Sequence, residues 1–340
     1  MSVSIIQKVL EDFRSGKELS RELGEGLLDA LITETDEVLI ASLLTAWTAK
    51  GIEENEIYEF ARTLRSRMLR VNSQHETFVD IVGTGGSKSK TFNVSTAAAF
   101  LIAGTGIRVA KHGNKAATSN SGSADVLAEL GIDPALDPPV AEKCLNEIGI
   151  CFMFAPNHHR LSPTLGNVRR GLGFPTIFNC VGPLCNPASA PHQLIGVWDQ
   201  ELVPKVANAL ARLGTTRSWI VHGNGLDEIS LEGSTTVAKI VEETVTFGEI
   251  GPKDFGIEPC QIAEIRCSDS VMSSAMIRKV LIGEAVGTAV ENIVVLNAAA
   301  TISLADPTKT RFEAVEAARE SIRSGSARRK LEELATAIPA

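Results

Sequence analysis

The segment FVDIVGTGG, residues 78–86, decides the fold class of this protein. An apolar run of strand length leads directly into a glycine-rich turn, and a helical pattern follows. The same pattern, a short apolar run followed by a glycine-containing turn, recurs twice. Residues 107–110 lead into KHGN at 111–114, and residues 219–221 lead into GNG at 223–225. Strands that alternate with helices predict an α/β fold with a mostly parallel central sheet flanked by helices.

The three glycine-rich loops should lie close together in such a sheet. Ligands of open parallel sheets bind beyond the carboxyl ends of the strands, where the following loops gather. We therefore expect the loops that begin at Gly83, Lys111 and Gly223 to line a single site.

Before residue 74 the chain has a different pattern. Apolar residues in the segment 5–69 recur at helical spacing, and one such stripe is Leu39, Ser42, Leu43 and Ala46. Gly51 should end one helix before the acidic residues 53–54 begin the next. The pattern predicts several short helices ahead of the α/β part.

Composition excludes some classes of function. A net charge of −8 argues against a general nucleic-acid binder, which needs a basic face to neutralise phosphates. No segment has the length and hydrophobicity of a membrane span, and the first residues do not form a signal peptide, so we expect a cytoplasmic location. The six cysteines have no metal-ligand spacing and should be buried thiols, and His158-His159 should form a polar loop.

Two segments have the composition of anion sites. After Gly83–Gly86 the chain passes Lys88 and Lys90 and enters TFNVST at 91–96, where glycine N–H groups and a helix start suit a pyrophosphate. KHGNK at 111–115 and the hydroxyl-rich stretch 118–125 could hold phosphate oxygens. An ordinary tight turn and a solvated helix cap are the respective alternatives.

Two charged pairs complete the pattern. Asp227-Glu228 follows the third glycine loop and could bind Mg²⁺, which takes one or two carboxylates together with substrate phosphates. Arg169-Arg170 could bind a planar carboxylate, and Gly182-Pro183 could form a flat apolar wall. Solvent-exposed surface charge is the alternative for each pair.

Taken together, these motifs resemble the anthranilate phosphoribosyltransferases of tryptophan biosynthesis, and they occur in that family's order. The resemblance covers nearly the whole chain and rests on GTGG at 83–86, NVST at 93–96, KHGN at 111–114, SGSAD at 121–125, VR at 168–169, FN at 178–179, GPL at 182–184, NP at 186–187 and GLDE at 225–228.

The resemblance implies an enzyme that transfers the phosphoribosyl group of phosphoribosyl pyrophosphate to anthranilate, giving N-(5-phosphoribosyl)anthranilate and pyrophosphate. It implies two Mg²⁺ ions per active site and a homodimer formed through a small helical domain. That domain would be residues 1–72 with helices inserted near residues 165–185, and the α/β domain would be residues 73–340.

Site residues follow from the resemblance position by position. Those expected to bind the donor are Gly83, Gly86, Ser87, Thr91, Asn93, Ser95, Thr96, Lys111, Ser119 and Ser123. Those expected to bind the acceptor are Gly83, His112, Asn114, Arg169 and Pro183, with Arg169 facing the carboxylate. Those expected to bind metal are Ser95, Asp227 and Glu228. No covalent nucleophile is expected.

Two positions depart from the family pattern. Ser87 stands where the family usually has an aspartate, and HRLSPT at 159–164 replaces its usual His-Pro-Ala-Met-Lys pattern beside the acceptor channel. They leave open a transferase or nucleoside phosphorylase of the same fold with another aromatic acceptor. A non-catalytic nucleic-acid-binding paralogue is a further alternative, which the net charge and the acid pair disfavour.

Overall fold

The computed structural model describes residues 4–87, 89–115 and 122–337; Lys88 and Ser119 therefore lie outside the described residues. The chain begins with four helices that pack on one another. They are α1 (Ile5–Arg14), α2 (Arg21–Thr33), α3 (Glu37–Lys50) and α4 (Glu54–Arg67).

The ends of these helices follow local chemistry. Asp36 caps α3, its carboxylate accepting from the backbone N–H groups of Val38 and Leu39. Gly51 has φ of 93°, a conformation open to glycine, and separates α3 from α4 as predicted.

The buried face of α3 is offset by one position from the stripe of residues at helical spacing. Its fully buried residues are Ile40, Leu43, Leu44 and Trp47, whereas Leu39, Ser42 and Ala46 are only partly buried. Because α3 is apolar around most of its circumference, periodicity could not select the face that contacts the core.

Two later helices join this group. They are α9 (Pro163–Leu172), which packs on α3, and α10 (Ile177–Leu184), which packs on α4. The ring of Phe178 on α10 meets the ring of Phe60 on α4 edge to face, with centroids 5.4 Å apart. Helices from two distant parts of the chain therefore share one apolar core.

A seven-stranded sheet forms the centre of the larger part. The strands are β1 (Phe78–Gly83), β2 (Arg108–Gly113), β3 (Ile150–Phe154), β4 (His192–Gly196), β5 (Arg217–Gly223), β6 (Thr235–Val241) and β7 (Thr244–Ile250). Their order is β3-β2-β1-β4-β5-β6-β7. Strands β1 to β5 pair in parallel, whereas the β5–β6 and β6–β7 pairs are antiparallel.

Helices flank this sheet. They are α5 (Val94–Gly104), α6 (Ser123–Glu129), α7 (Pro138–Lys143), α8 (Ala155–His159), α11 (Leu202–Leu213), α12 (Ser270–Leu281), α13 (Ala289–Ala305), α14 (Arg311–Arg323) and α15 (Ser326–Thr336). A π-helical turn spans Cys144–Ile148, and 3₁₀ turns span Pro252–Phe255 and Ile262–Ile265. The predicted fold, a small helical part ahead of an α/β part with a mostly parallel sheet, is confirmed.

The histidine pair is not a polar loop, so that prediction is wrong. His158 and His159 end α8 and are both buried. The His158 imidazole contacts the carbonyl of Leu69 through Nδ1 at 2.8 Å, a partner far away in the sequence. Five of the six cysteines are buried, and Cys260 is partly buried. No helix among the described residues is long and apolar enough to span a membrane.

Candidate active site

A cavity of about 570 Å³ lies where the carboxyl ends of β1 and β2 face the inserted helices. The sheet side contributes Gly83, Lys111 and the acid pair Asp227-Glu228, and the helical side contributes Arg169 and Phe178. As predicted, loops from three strands meet at this edge. The volume suits a ligand of cofactor size.

The glycine loop after β1 is held against the acidic loop. The N–H of Gly85 donates to Oδ2 of Asp227 at 2.8 Å, and the N–H of Thr84 donates to the carbonyl of Gly196 at 2.9 Å. A Cβ at Gly83 would lie 2.3 Å from Oδ2 of Asp227, and one at Gly196 would lie 1.6 Å from the carbonyl oxygen of Asp227. Glycine is needed at both positions because the two loops touch.

The start of α5 faces the same cavity. Asn93 caps the helix, its side-chain oxygen accepting from the N–H of Thr96 at 3.1 Å and from the hydroxyl of Ser95 at 3.3 Å. The N-terminus of a helix is an anion site because it carries unpaired N–H groups and the positive end of the dipole.

Lys111 brings a positive charge to this wall. Its buried ammonium donates to the carbonyl of Ile81 at 2.7 Å and to the hydroxyl of Ser95 at 3.2 Å. Burial lowers the pKa of Lys111 to about 8, and the nearby carboxylates of Asp80 and Glu228 oppose that shift. The side chain remains largely protonated near neutral pH and lines the cavity.

Ionisation of both members of the acid pair is disfavoured in the protein alone, so a bound cation would stabilise the charged pair. Burial raises the pKa of Asp227 and raises that of Glu228 well above its ordinary value, where repulsion from Asp227 adds to the effect. Oε2 of Glu228 is buried and has no hydrogen-bond partner among the described residues. A site with these features fits a cation.

The donor set fits Mg²⁺ in particular. Mg²⁺ binds through one or two carboxylates and completes its shell with water and substrate oxygens. Asp227 and Glu228 provide such a pair, with Ser95 on the facing wall. Within the described ranges no group of three His, Cys, Asp or Glu side chains could hold a metal, so a closed structural metal site is not formed there.

Arg169 is a half-buried cation on the opposite wall. Its guanidinium lies 4.9 Å from the ring centre of Phe178, and its Nε has no hydrogen-bond partner in the described part of the chain. Burial lowers the pKa of Arg169 to about 10, and Arg170 adds to that shift. A half-buried guanidinium beside an aromatic ring is suited to the carboxylate of an aromatic ligand.

Two histidines lie next to this pocket. Nε2 of His112 and Nε2 of His159 are 3.1 Å apart, so the two rings share one hydrogen bond. Burial lowers the pKa of both, to about 4 for His159, and therefore both rings are neutral near pH 7. Both imidazole rings line the cavity as neutral polar groups.

The structure brings most of the predicted residues together. The predicted residues that line the cavity are Gly83, Gly86, Ser87, Thr91, Asn93, Ser95, Lys111, His112, Asn114, Ser123, Arg169, Pro183, Asp227 and Glu228. Thr96 does not line the cavity. Its side chain is buried beneath the cavity wall, and its backbone N–H donates to the side-chain oxygen of Asn93. The prediction for Ser119 falls outside the described residues.

Sequence reasoning missed the residues that support the site. Asp80 is fully buried in β1, where it accepts from Nδ2 of Asn186 at 2.7 Å and from the N–H of His112 at 3.2 Å. Asn179 donates to the carbonyl of Thr84 at 2.9 Å. The sequence did contain signals for these supporting residues. Asp80 is an acid inside an apolar strand, and Asn179 and Asn186 belong to the motifs FN and NP.

Family models match both parts of the chain. A model described as "Glycosyl transferase family, helical bundle domain" matches residues 4–68, and one described as "Glycosyl transferase family, a/b domain" matches residues 75–328. The anthranilate phosphoribosyltransferase of Haloarcula marismortui is 39% identical over 97% of this chain and 99% of its own. That of Pelotomaculum thermopropionicum is 41% identical over 97% and 96%.

This chain belongs to the anthranilate phosphoribosyltransferase family. The resemblance stated from the motifs is therefore confirmed, as is the class of enzyme, a glycosyltransferase.

Solved structures of the family share the fold. The enzyme from Thermus thermophilus superposes with a TM-score of 0.87 at 34% identity, covering 97% of this chain and 98% of that one. The Saccharomyces cerevisiae enzyme in complex with PRPP and Mg superposes with a TM-score of 0.86 at 29% identity, covering 99% and 98%. The same yeast enzyme has been solved with 4-fluoroanthranilate, with a TM-score of 0.85 at 27% identity over the same shares of the chains.

Proposed function

We propose that this protein transfers the phosphoribosyl group of phosphoribosyl pyrophosphate to anthranilate, releasing pyrophosphate. The observation that carries the proposal is the division of charge in the cavity. Lys111 and the half-buried acids Asp227-Glu228 lie on the sheet side, and Arg169, whose Nε has no hydrogen-bond partner among the described residues, lies beside Phe178 on the helical side. The first wall suits a metal-bound diphosphate and the second an aromatic carboxylate.

On the donor side, the chain's own groups would bind and stabilise pyrophosphate. Breaking the bond at the anomeric carbon leaves positive charge on the ribose and increases negative charge on the leaving group. The ammonium of Lys111 and the helix start at Asn93–Ser95 face the cavity where that charge develops. Electrostatic stabilisation by groups already in place is the largest contribution expected of such a site.

Asp227 and Glu228, with Ser95, would hold two Mg²⁺ ions, as the unpartnered Oε2 of Glu228 and the close acid pair favour. When bound, Mg²⁺ neutralises the diphosphate and makes it a better leaving group. Gly85 restrains Asp227 through its N–H, so the carboxylate is directed before ligands arrive.

On the acceptor side, the task is alignment. Arg169 would bind the carboxylate while Phe178 and Pro183 contact the ring, so that the amine faces the anomeric carbon. Holding two reactants in line lowers the activation barrier, because much of the entropy of bringing them together is lost on binding. His112, Asn114 and Gly83 line the path of the acceptor, and no covalent nucleophile is required.

Three further properties are part of the proposal. We infer that the protein works as a homodimer through its helical domain, acts in the cytoplasm, and divides at residues 1–72 and 73–340. The packing of α9 on α3 and of α10 on α4 supports a helical unit formed by α1 to α4 with α9 and α10.

The test is the loss of anthranilate fluorescence in the presence of phosphoribosyl pyrophosphate and Mg²⁺, with controls that lack each one. Consumption that requires both supports the proposal. Asp227→Ala should depress turnover and change the Mg²⁺ dependence; wild-type behaviour at limiting Mg²⁺ would remove Asp227 from the metal site.

A second candidate acceptor class is favoured by the segment HRLSPT. His159, Leu161, Ser162 and Pro163 line the cavity, so a departure from the family pattern there changes the acceptor wall. If donor binding is found by calorimetry but anthranilate is not consumed, substituted anthranilates and nucleobases should be tested next. Phosphorolysis of a nucleoside without Mg²⁺ would indicate a phosphorylase instead.

A further inference from the structure

Helix α10 contacts both halves of the cavity. Phe178 lies beneath Arg169 on the acceptor side, and Gly182 lines the cavity together with His112. The same helix carries Pro183. Its residues are almost all buried, so the helix moves only together with its surroundings.

One residue of this helix reaches the donor loop. The side-chain oxygen of Asn179 accepts from the N–H of Thr176 at 3.0 Å, and its Nδ2 donates to the carbonyl of Thr84 at 2.9 Å. All three residues are buried. The amide therefore has two directed bonds, one within its own helix turn and one across the cavity floor to the glycine loop.

The chain of contacts continues from the glycine loop to the acids. Thr84 precedes Gly85, whose N–H donates to Asp227 at 2.8 Å. The turn before α10 makes a second contact with the loop, because a Cβ at Gly86 would lie 2.5 Å from Cγ of Pro175. The glycine loop is thus held between the acidic loop on one side and the acceptor-bearing helix on the other.

We propose that Asn179 is a positioning residue that couples the two substrate sites, so that each ligand binds more tightly when the other is present. This proposal rests on the proposed function. An acceptor that seats against Arg169 and Phe178 restrains α10, and Asn179 transmits that restraint to Thr84 and Gly85. By linkage, the donor must strengthen acceptor binding by the same factor.

The experiment measures binding without turnover. Calorimetry gives the Kd of phosphoribosyl pyrophosphate with Mg²⁺, alone and with saturating benzoate, which keeps the ring and carboxylate of anthranilate but lacks the nucleophilic amine. We expect benzoate to tighten donor binding at least about fivefold in the wild-type protein. The reverse titration should give the same factor.

Asn179→Asp isolates the bond across the cavity. The aspartate keeps the oxygen that accepts from Thr176 but cannot donate to Thr84, and we expect the coupling factor to fall below about twofold. Asn146→Asp is the matched control, because Asn146 also accepts from a backbone N–H, that of Gln74, and donates to a backbone carbonyl, that of Asn72. Asn146 does not line the cavity, and its variant should keep the wild-type coupling factor.

The outcomes are distinct. If the wild-type protein binds neither phosphoribosyl pyrophosphate nor benzoate, the proposed function fails. If it binds both without coupling, or if Asn179→Asp retains the coupling, the role of Asn179 is overturned. Should Asn179→Asp not fold, Asn179→Ala removes the same donor without adding charge and is expected to give the same loss of coupling.

Discussion

The backbone N–H of Gly85 donates to Oδ2 of Asp227 at 2.8 Å, although 142 positions separate the two residues in the sequence. This bond joins the glycine loop after β1 to the acidic loop after β5. It directs a carboxylate that burial would otherwise favour in its neutral form, since the hydrogen bond lowers the pKa that desolvation raises. The donor loop and the candidate metal ligands are therefore a single unit.

Gly83→Ala should disrupt that unit. The new Cβ would lie 2.3 Å from Oδ2 of Asp227, so the carboxylate must move. We expect turnover to fall at least about tenfold and the Mg²⁺ concentration for half-maximal rate to rise. Rates measured against Mg²⁺ test this. Gly248→Ala, where a Cβ meets nothing within 4 Å, is the control, and equal Mg²⁺ curves for both variants would contradict the prediction.

Arg169→Met should weaken acceptor binding and at the same time stabilise the ligand-free protein. Loss of the guanidinium should raise the KM for anthranilate about 10- to 100-fold, since hydrogen bonds to charged groups contribute about 1.5–3 kcal/mol, while the donor Kd stays within about twofold. The ligand-free protein should gain about 2 °C in Tm, because a half-buried charge whose Nε has no hydrogen-bond partner among the described residues is removed. Arg212→Met is the control: its guanidinium lies 3.8 Å from the ring centre of Tyr58, outside the cavity lining. An unchanged KM would remove Arg169 from the acceptor site.

Lys111→Met should act on the donor. Its ammonium faces the cavity beside Ser95, so its loss should weaken phosphoribosyl pyrophosphate binding about 10- to 100-fold in calorimetry. The KM for anthranilate at saturating donor should change little. Lys239→Met, a partly buried lysine on β6 whose Nζ lies 5.2 Å from the ring centre of Trp219, should leave the donor Kd unchanged. A similar Kd for wild-type and Lys111→Met proteins would refute the assignment.

His159 should make the fold sensitive to acid. Burial lowers its pKa to about 4, whereas an unfolded histidine titrates near pH 6.5. Between those values the unfolded chain binds more protons, so stability falls as the pH falls. His159→Gln should reduce the stability lost between pH 6.5 and 5 by about 1–2 kcal/mol, measured by urea unfolding at each pH. The same pH dependence in wild-type and variant would show that His159 is not responsible.

Local chemistry in the sequence determined the elements that carry the site. The apolar run at 78–82 followed by glycines predicts β1 and its turn, Asn93 caps α5, and Gly51 separates α3 from α4. Such signals can be read directly because caps, turns and strand patterns depend on residues only a few positions apart. The order of the motifs was sufficient to indicate the family and the charges that the cavity would contain.

Tertiary structure alone decided how these charges are held. The bonds from Asn179 to Thr84 and from Asn186 to Asp80 span 95 and 106 positions, and no local pattern specifies them. The buried face of α3 and the burial of His158 and His159 were also decided by packing, since an apolar or amphipathic segment can present more than one face to a core. The sequence determined which chemical groups reach the edge of the sheet, and long-range packing determined which of them support the site and which remain free for ligands.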